Sequence, residues 1–494
     1  MEASEIRKLK FRRQYIIAPR NIECPFMNNV KEIGDRYKLY THIDLSVTEY
    51  EKDGVKVNLL GDMFDYENCK KNNGDILKDL ITDNFEIFTE KTANYSGRYI
   101  LIYQKDNELK FLHDATATRK IYYANTGNGL WFASQPYLLA KILNLKETTA
   151  PSKLAFYNSK TFELLYNSNI GDTTRYDEIQ QLLPNHYLNV NEFKIVRYWP
   201  NKKINYQSLS SVAEICAKMI KGYVKSIATR YEIMLPLTAG KDSRTLLAAT
   251  YDFKDDVYYY VNRYHGLNED NNDIFIPRKL LTMLKLKLNI LKPNNITVDE
   301  DFEKAYYENH KFASSSYLPF IYNYYVNFSH KVNLPGNIAS AGFEIYKDSK
   351  MMVSAENLAE LNNVSQFQYA KDYYANWLSN CKDLCHINNI NILNLFYWEE
   401  RLANWGTQIQ LEKDIAQEEF NPFNSRQLIS LYLSVKPKYI ELPNFILHKK
   451  VIKNLWPELL KVPINPGLKN NIRKIFQFLG ILKLFYRWKY SKLN

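Results

Sequence analysis

Lys241, Asp242 and Ser243 follow the small-residue run Thr238-Ala239-Gly240 and precede Arg244-Thr245-Leu246-Leu247-Ala248-Ala249. Ahead of them lies an apolar run, Ile233-Met234-Leu235, with Leu237 just beyond. This order predicts a strand, a tight loop and a helix. The first N–H groups of a helix have no intrahelical acceptor, and the helix dipole adds partial positive charge there. A phosphate or pyrophosphate can seat on such a loop if backbone approaches backbone. Thr238, Ala239 and Gly240 are small enough to allow it. Thr238 and Ser243 add hydroxyls, and Asp242 adds a carboxylate of the kind that holds Mg²⁺. The same residues also read as an ordinary strand-to-helix turn with Asp242 or Ser243 as N-cap. The G-x-x-x-x-G-K-[ST] spacing of the P-loop is absent.

The elements that must position this loop belong to a chain of 494 residues, long enough for two or three domains. From Arg13 to about Val196 the pattern is short β-type runs, such as Gln14-Tyr-Ile-Ile-Ala, Val55-Lys-Val-Asn-Leu-Leu, Arg98-Tyr-Ile-Leu-Ile-Tyr and Leu109-Lys-Phe-Leu-His. Turn signals separate them. Helical patterns intervene at Gly74 to Thr89 and Pro136 to Leu143. Sheets with a few helices predict an α+β sandwich. The polar stretch Asn201 to Ser211 reads as a linker. Beyond it, strands at Glu232 to Leu237, Val257 to Val261 and Leu288 to Leu291 alternate with helices, which implies parallel pairing in an α/β doubly wound core. Past Ala355 nearly everything reads helical. The expected division is a first domain at 1–200, a linker at 201–211, a second domain at 212–469 and a basic amphipathic C-terminal helix at 470–494.

Composition narrows the class. Hydrophobic residues make up 46% and charged residues 24%, a globular balance. No run is apolar enough for a bilayer, and the charged start Met1-Glu2-Ala3-Ser4-Glu5-Ile6-Arg7-Lys8 lacks a signal core. A cytoplasmic protein is expected. The net charge of +11 is spread among acids and reads as a solvated surface, not a nucleic-acid footprint. The five cysteines, Cys24, Cys69, Cys216, Cys381 and Cys385, are scattered and odd in number, as reduced thiols would be. Cys381-x-x-x-Cys385-His386 is one residue too long for haem attachment and has no second pair for zinc. It reads as an exposed helical stretch. The tail mixes Phe, Leu, Ile and Trp with Arg473, Lys474, Lys483, Arg487 and Lys489. A docked terminal helix is expected. Peripheral contact with an anionic membrane is the other reading.

T-A-G-K-D-S resembles the S-G-G-x-D-S pyrophosphate loop of the N-type ATP pyrophosphatases and, with Arg244, most resembles the asparagine synthetase-like branch. It departs from that form at Thr238 and Ala239, both still small. Four amino-terminal segments resemble class II glutamine amidotransferase (Ntn-type) domains in the same order. Ser96-Gly-Arg-Tyr-Ile-Leu-Ile-Tyr is similar to D-G-x-F-A-F. His113 to Ala124 is similar to R-D-x-x-G-x-x-P-L-Y-Y. Phe132-Ala-Ser-Gln-Pro-Tyr-Leu-Leu-Ala is similar to A-S-E-x-K-A-L, and Leu183-Pro-Asn-His-Tyr-Leu to P-P-G-H-Y-L. The resemblance covers nearly the whole chain. It implies an Ntn-like sandwich, then an adenine nucleotide alpha hydrolase-like ATP-pyrophosphatase domain with a helical C-terminal part.

The resemblance implies an ATP- and Mg²⁺-dependent carbon–nitrogen ligase. A carboxylate is adenylated, and ammonia or another amine then displaces AMP, with loop amides and metal stabilising the leaving pyrophosphate. Thr238, Ala239, Gly240, Lys241, Asp242 and Ser243 would hold the nucleotide, with Asp242 on the metal. Lys241 occupies the variable position, where it adds a phosphate contact or faces water, the second being expected. The second motif, G-x-G-A-D-E, is matched by Gly342-Phe343-Glu344, so that Glu344 is a candidate metal ligand and catalytic residue while Phe343 replaces the metal-binding Asp. Asp273 reads as a helix cap before Pro277. Tyr397 to Trp405 resembles the helix before R-x-P-F-L-D, and Asn421-Pro-Phe423-Asn-Ser-Arg resembles that segment without its acid. Glu399, Glu400 and Arg401 form an ion-paired helix face or line the acceptor pocket. A late lysine contacting the adenylate falls at Lys461 or Lys469, with Lys461 the catalytic candidate.

Glutamine hydrolysis is not expected. The family's nucleophile is a Cys directly after the initiator Met, activated by its own α-amine. Position 2 is Glu2 and Cys24 is interior. The glutamine-reading N-G-E becomes Leu60-Gly61-Asp62. Surface-polysaccharide synthesis enters as an association of such proteins, by analogy. The expected partners are a small-molecule carboxylate and an amine, with room for a homodimer. The alternative is an inactive nucleotide-binding or partner-binding homologue.

Overall fold

The computed structural model describes residues 3–466 apart from 25, 28, 128, 264–266, 294–295, 343–345, 347–352 and 442–443. The amino-terminal half carries β1 (Tyr15–Ala18), β2 (Asn29–Ile33), β3 (Tyr37–Thr41), β4 (Val47–Lys52), β5 (Val55–Asp65), β6 (Tyr95–Lys105), β7 (Glu108–His113), β8 (Tyr122–Thr126), β9 (Gly129–Ala133), β10 (Ile179–Gln181), β11 (His186–Asn189) and β12 (Lys194–Arg197). They form two six-stranded sheets, ordered β10-β8-β9-β1-β3-β2 and β12-β11-β7-β6-β5-β4. Neighbouring strands in both sheets run antiparallel.

Many strands here are apolar at consecutive positions because both faces of each sheet are covered. Side chains alternate across a strand, and the alternation sorts residues into separate cores. Tyr15, Ile17, Leu60, Ile100, Ile102, Leu130 and Phe132 point between the sheets. Their neighbours Leu59, Tyr99, Leu101 and Tyr103 pack outward on Ile76, Leu77, Leu80 and Phe88 of two helices. Ile16 and Trp131 pack outward on Leu138 and Leu139 of the helix Pro136–Leu143. Helix, sheet, sheet and helix are thus stacked in order, the α+β sandwich expected. The single helix expected at Gly74 to Thr89 is instead two, Asn73–Leu80 and Phe85–Thr92. Asn84 breaks it, because its side chain accepts from the N–H groups of Glu86 and Ile87 and caps the second helix.

The second half opens with the helix Leu209–Arg230 and builds a four-stranded sheet from β13 (Ile233–Pro236), β14 (Tyr258–Asn262), β15 (Asn289–Leu291) and β16 (Val332–Asn333). All neighbours are parallel, in the order β15-β14-β13-β16. Ile233, Leu235 and Tyr259 face one core, with Ile220, Val224, Leu246 and Leu280 from three helices. Met234 and Tyr260 face another, with Phe302, Tyr306, Ile321 and Tyr324. Helices on both faces make this sheet doubly wound. The sequence showed three of its strands. The fourth is only two residues long.

Further on, the segment Tyr397–Gly406 is a π-helix. Cys381 and Cys385, expected on an exposed stretch, are buried on the helix Gln368–Ile387. Among the described residues no helix is long and apolar enough to cross a membrane. The tail 470–494, with its expected membrane or docking role, lies outside the described residues.

Candidate anion-binding loop

β13 pairs with β14 on one side and with β16 on the other, so the strand order reverses at β13. In open parallel sheets, ligands bind beyond the carboxyl ends of strands at such a switch point. Residues 238–243 follow β13 there and lead into the helix Lys241–Ala249. Gly240 is the N-cap and offers no side-chain hydrogen bond. Thr238 is exposed and Gly240 half-buried, so the loop reaches solvent.

Hydroxyls brace the turn. Ser243 Oγ accepts the Thr238 N–H at 3.1 Å, and Thr238 Oγ1 accepts the Gly240 N–H at 3.2 Å. The Ala239 N–H donates to Asp273 Oδ1 at 2.9 Å. Asp273 is therefore not the cap it was expected to be. Asn271 caps the helix Asn272–Met283 by accepting the Asp273 N–H, which frees the Asp273 carboxylate to reach the loop. A carboxylate oxygen on a loop amide is the contact an oxyanion ligand would make.

Lys241 does not face water. The residue is 8% exposed, and Nζ lies 2.8 and 2.9 Å from the two oxygens of Asp242. The Phe445 ring lies under the ammonium at 4.7 Å. His448 Nε2 stands 3.3 Å from Asp242 Oδ1. Burial pushes the His448 imidazole down to about 4, so it is neutral near pH 7. Burial alone would raise the Asp242 carboxyl, but Lys241 and His448 outweigh it and hold it below its ordinary value.

The turn that faces Asp242 is the one directly after β16. A Cβ on Gly336 would meet Asp242 Cβ at 3.1 Å, so glycine lets the backbone pass there. Gly342, the residue matched to the second motif, packs instead on Tyr432. Glu344 and Phe343 lie outside the described residues, as do Glu2 and Lys469. Lys461 is exposed at the end of the turn Pro457–Lys461. Its segment is tied to the loop: the buried Arg244 guanidinium donates to the carbonyls of Leu459, Val462 and Pro463, and the Asn465 N–H donates to Ala239 O at 2.9 Å.

Glu399 and Glu400 are fully buried in the π-helix. Arg197 of β12 forks onto Glu399 from the other half of the chain. Burial and the neighbouring Glu399 raise Glu400 well above the carboxylate range. A second buried cluster joins the halves where β6 meets the segment after the helix Thr407–Lys413. Arg98 pairs with Asp414 and, at 2.7 Å, with Glu418, while Arg119 holds both Glu418 oxygens at 3.0 Å. Neither cluster was visible in the sequence, because each pairs residues hundreds of positions apart.

In the amino-terminal half Leu60 and Asp62, aligned with the glutamine-reading turn, are buried. Leu60 lies between the sheets. Asp62 is held by Asn73 at 3.0 Å, and Ser96 Oγ donates to Asn421 O at 3.1 Å. Burial pushes the Cys24 thiol up to about 12, which leaves no thiolate near pH 7. Among the described residues no group of three or more His, Cys, Asp or Glu could hold a metal ion.

No protein-family model matches the chain, and no curated protein matches it. Among solved structures it is similar to one described as the allosteric regulatory enzyme of purine biosynthesis, at 10% identity and a TM-score of 0.24, covering 54% of this chain and 63% of that one. It is also similar to glutamine phosphoribosylpyrophosphate amidotransferase from B. subtilis, complexed with ADP and GMP, at 9% identity and a TM-score of 0.24, covering 64% and 90%. The chain thus spans less than two thirds of the first of these, 63%. Likenesses of this size say nothing of chemistry.

Proposed function

We propose that this chain is an asparagine synthetase-like ligase that binds ATP on the loop 238–243. A carboxylate oxygen of a small-molecule substrate attacks the α-phosphorus of ATP, and the bond to the leaving pyrophosphate breaks. Ammonia or another amine then attacks the acyl carbon, loses a proton and expels AMP, leaving an amide. The supporting observation is the seat of T-A-G-K-D-S. It lies at the end of β13, where the parallel sheet reverses order, with the Ala239 amide already holding a carboxylate oxygen. Loop amides that stabilise charge on the leaving pyrophosphate supply the electrostatic part of the catalysis. Asp242 orients the loop's charge, and Lys461 rides on the segment that Arg244 ties to it.

Magnesium would arrive on the triphosphate itself, since both oxygens of Asp242 are engaged by Lys241. The amino-terminal sandwich would serve as a structural partner, and the amine would come from solution. A role in surface-polysaccharide synthesis and a cytoplasmic site remain part of the proposal by analogy.

ATP–pyrophosphate exchange across a panel of small carboxylates tests the reading. Exchange that Asp242→Ala lowers by about 100-fold is expected, because the Lys241 ammonium then loses the partner that preorganises it. The engaged state of Asp242 favours a second reading, a homologue that binds nucleotide without chemistry. ATP binding with no exchange for any carboxylate would select it.

A further inference from the structure

We propose that the Lys241 ammonium is the resident cation of this loop and stands where a divalent metal was expected, so that the site binds a pyrophosphate group without metal. The proposal rests on reading the loop as a pyrophosphate site.

Three observations carry it. Nζ of Lys241 meets both oxygens of Asp242, at 2.8 and 2.9 Å, and His448 Nε2 stands 3.3 Å from Oδ1. A magnesium ion requires near-octahedral oxygen ligands at short range, and here an ammonium and an imidazole edge already crowd the carboxylate. The ammonium is held by more than its partner, because the Phe445 ring lies 4.7 Å away and attracts a cation through its π-face. Finally, the turn that faces Asp242, Leu334-Pro335-Gly336-Asn337-Ile338-Ala339-Ser340, contains no carboxylate. One divalent ion on two carboxylates is neutral overall, and so is one ammonium on one carboxylate. Between Leu334 and Ser340 that turn brings no acid to Asp242, and a lysine stands beside it. The exchange keeps the charge balance beside the helix N-terminus, whose dipole then acts on the ligand.

Isothermal titration of the full chain with inorganic pyrophosphate, in EDTA and in magnesium, tests this. Wild-type affinity should agree between the two conditions to within about threefold. Lys241→Met should lose about tenfold or more in EDTA and regain part of it in magnesium, because Asp242 becomes open to metal, while Lys241→Arg should keep metal-free binding. Wild-type binding that needs magnesium by more than about tenfold overturns the inference and leaves the pyrophosphate reading intact. No binding under either condition overturns both. If Lys241→Met does not fold, as its melting curve would show, the wild-type comparison alone decides.

Discussion

The carboxylate of Asp273 accepts the backbone N–H of Ala239 at 2.9 Å, so an acid from the helix after β14 occupies an amide of the loop after β13. An incoming phosphate oxygen would compete with it and would meet its charge. Asp273→Asn keeps an acceptor for the amide and removes the charge. It should tighten pyrophosphate binding by about fivefold, on the order of 1 kcal/mol. Titration calorimetry on the two proteins checks this. Weaker binding would mean that Asp273 is a strut the loop needs.

Arg98 is buried against Asp414 and Glu418. Removing one member of a buried ion pair leaves charge without a partner, at a cost of about 3–5 kcal/mol. Arg98→Met should lower stability by that amount in denaturant unfolding of the full chain. Arg98→Met combined with Asp414→Leu should recover much of the loss, since Glu418 keeps Arg119 at 3.0 Å. A single variant costing under about 1 kcal/mol would show that the cluster is solvated in practice.

Burial pushes the Glu412 carboxyl up to about 7. Tyr306 Oη donates to it at 2.9 Å and Gln408 Nε2 at 3.1 Å. The folded chain keeps this proton over a window in which the unfolded chain, titrating at about 4.3, gives it up. The stability contributed is therefore full below about pH 4.3 and is lost as pH rises through about 7. Glu412→Gln lacks this titration. Relative to the variant, wild type should lose about 3 kcal/mol across that window and then stay level. Melting temperatures of both proteins from pH 5 to pH 8 check it. A gap that does not change with pH would contradict it.

The sequence exposed β13 and its loop because an apolar run, small residues and helix formers are local signals. It exposed the sandwich because short β-type runs recur between turn residues. It did not expose Asp273, whose partner lies 34 positions away. Nor did it expose Gly336, because a strand of two residues has no period. Lys241 was expected in water, as an isolated lysine usually is, but Asp242 beside it and the Phe445 ring make a buried place for it. The burial of Glu399 and Glu400 was not legible either, since the charge that pairs with Glu399 comes from Arg197 in the other half.

The most direct test of the ATP reading is a crystal structure of the full chain with a non-hydrolysable ATP analogue. The expected result is β- and γ-phosphates within hydrogen-bond distance of the backbone amides between Gly240 and Ser243, with Asp273 displaced from Ala239. An analogue seated elsewhere, with 238–243 unchanged and Asp273 still on the Ala239 amide, would contradict it.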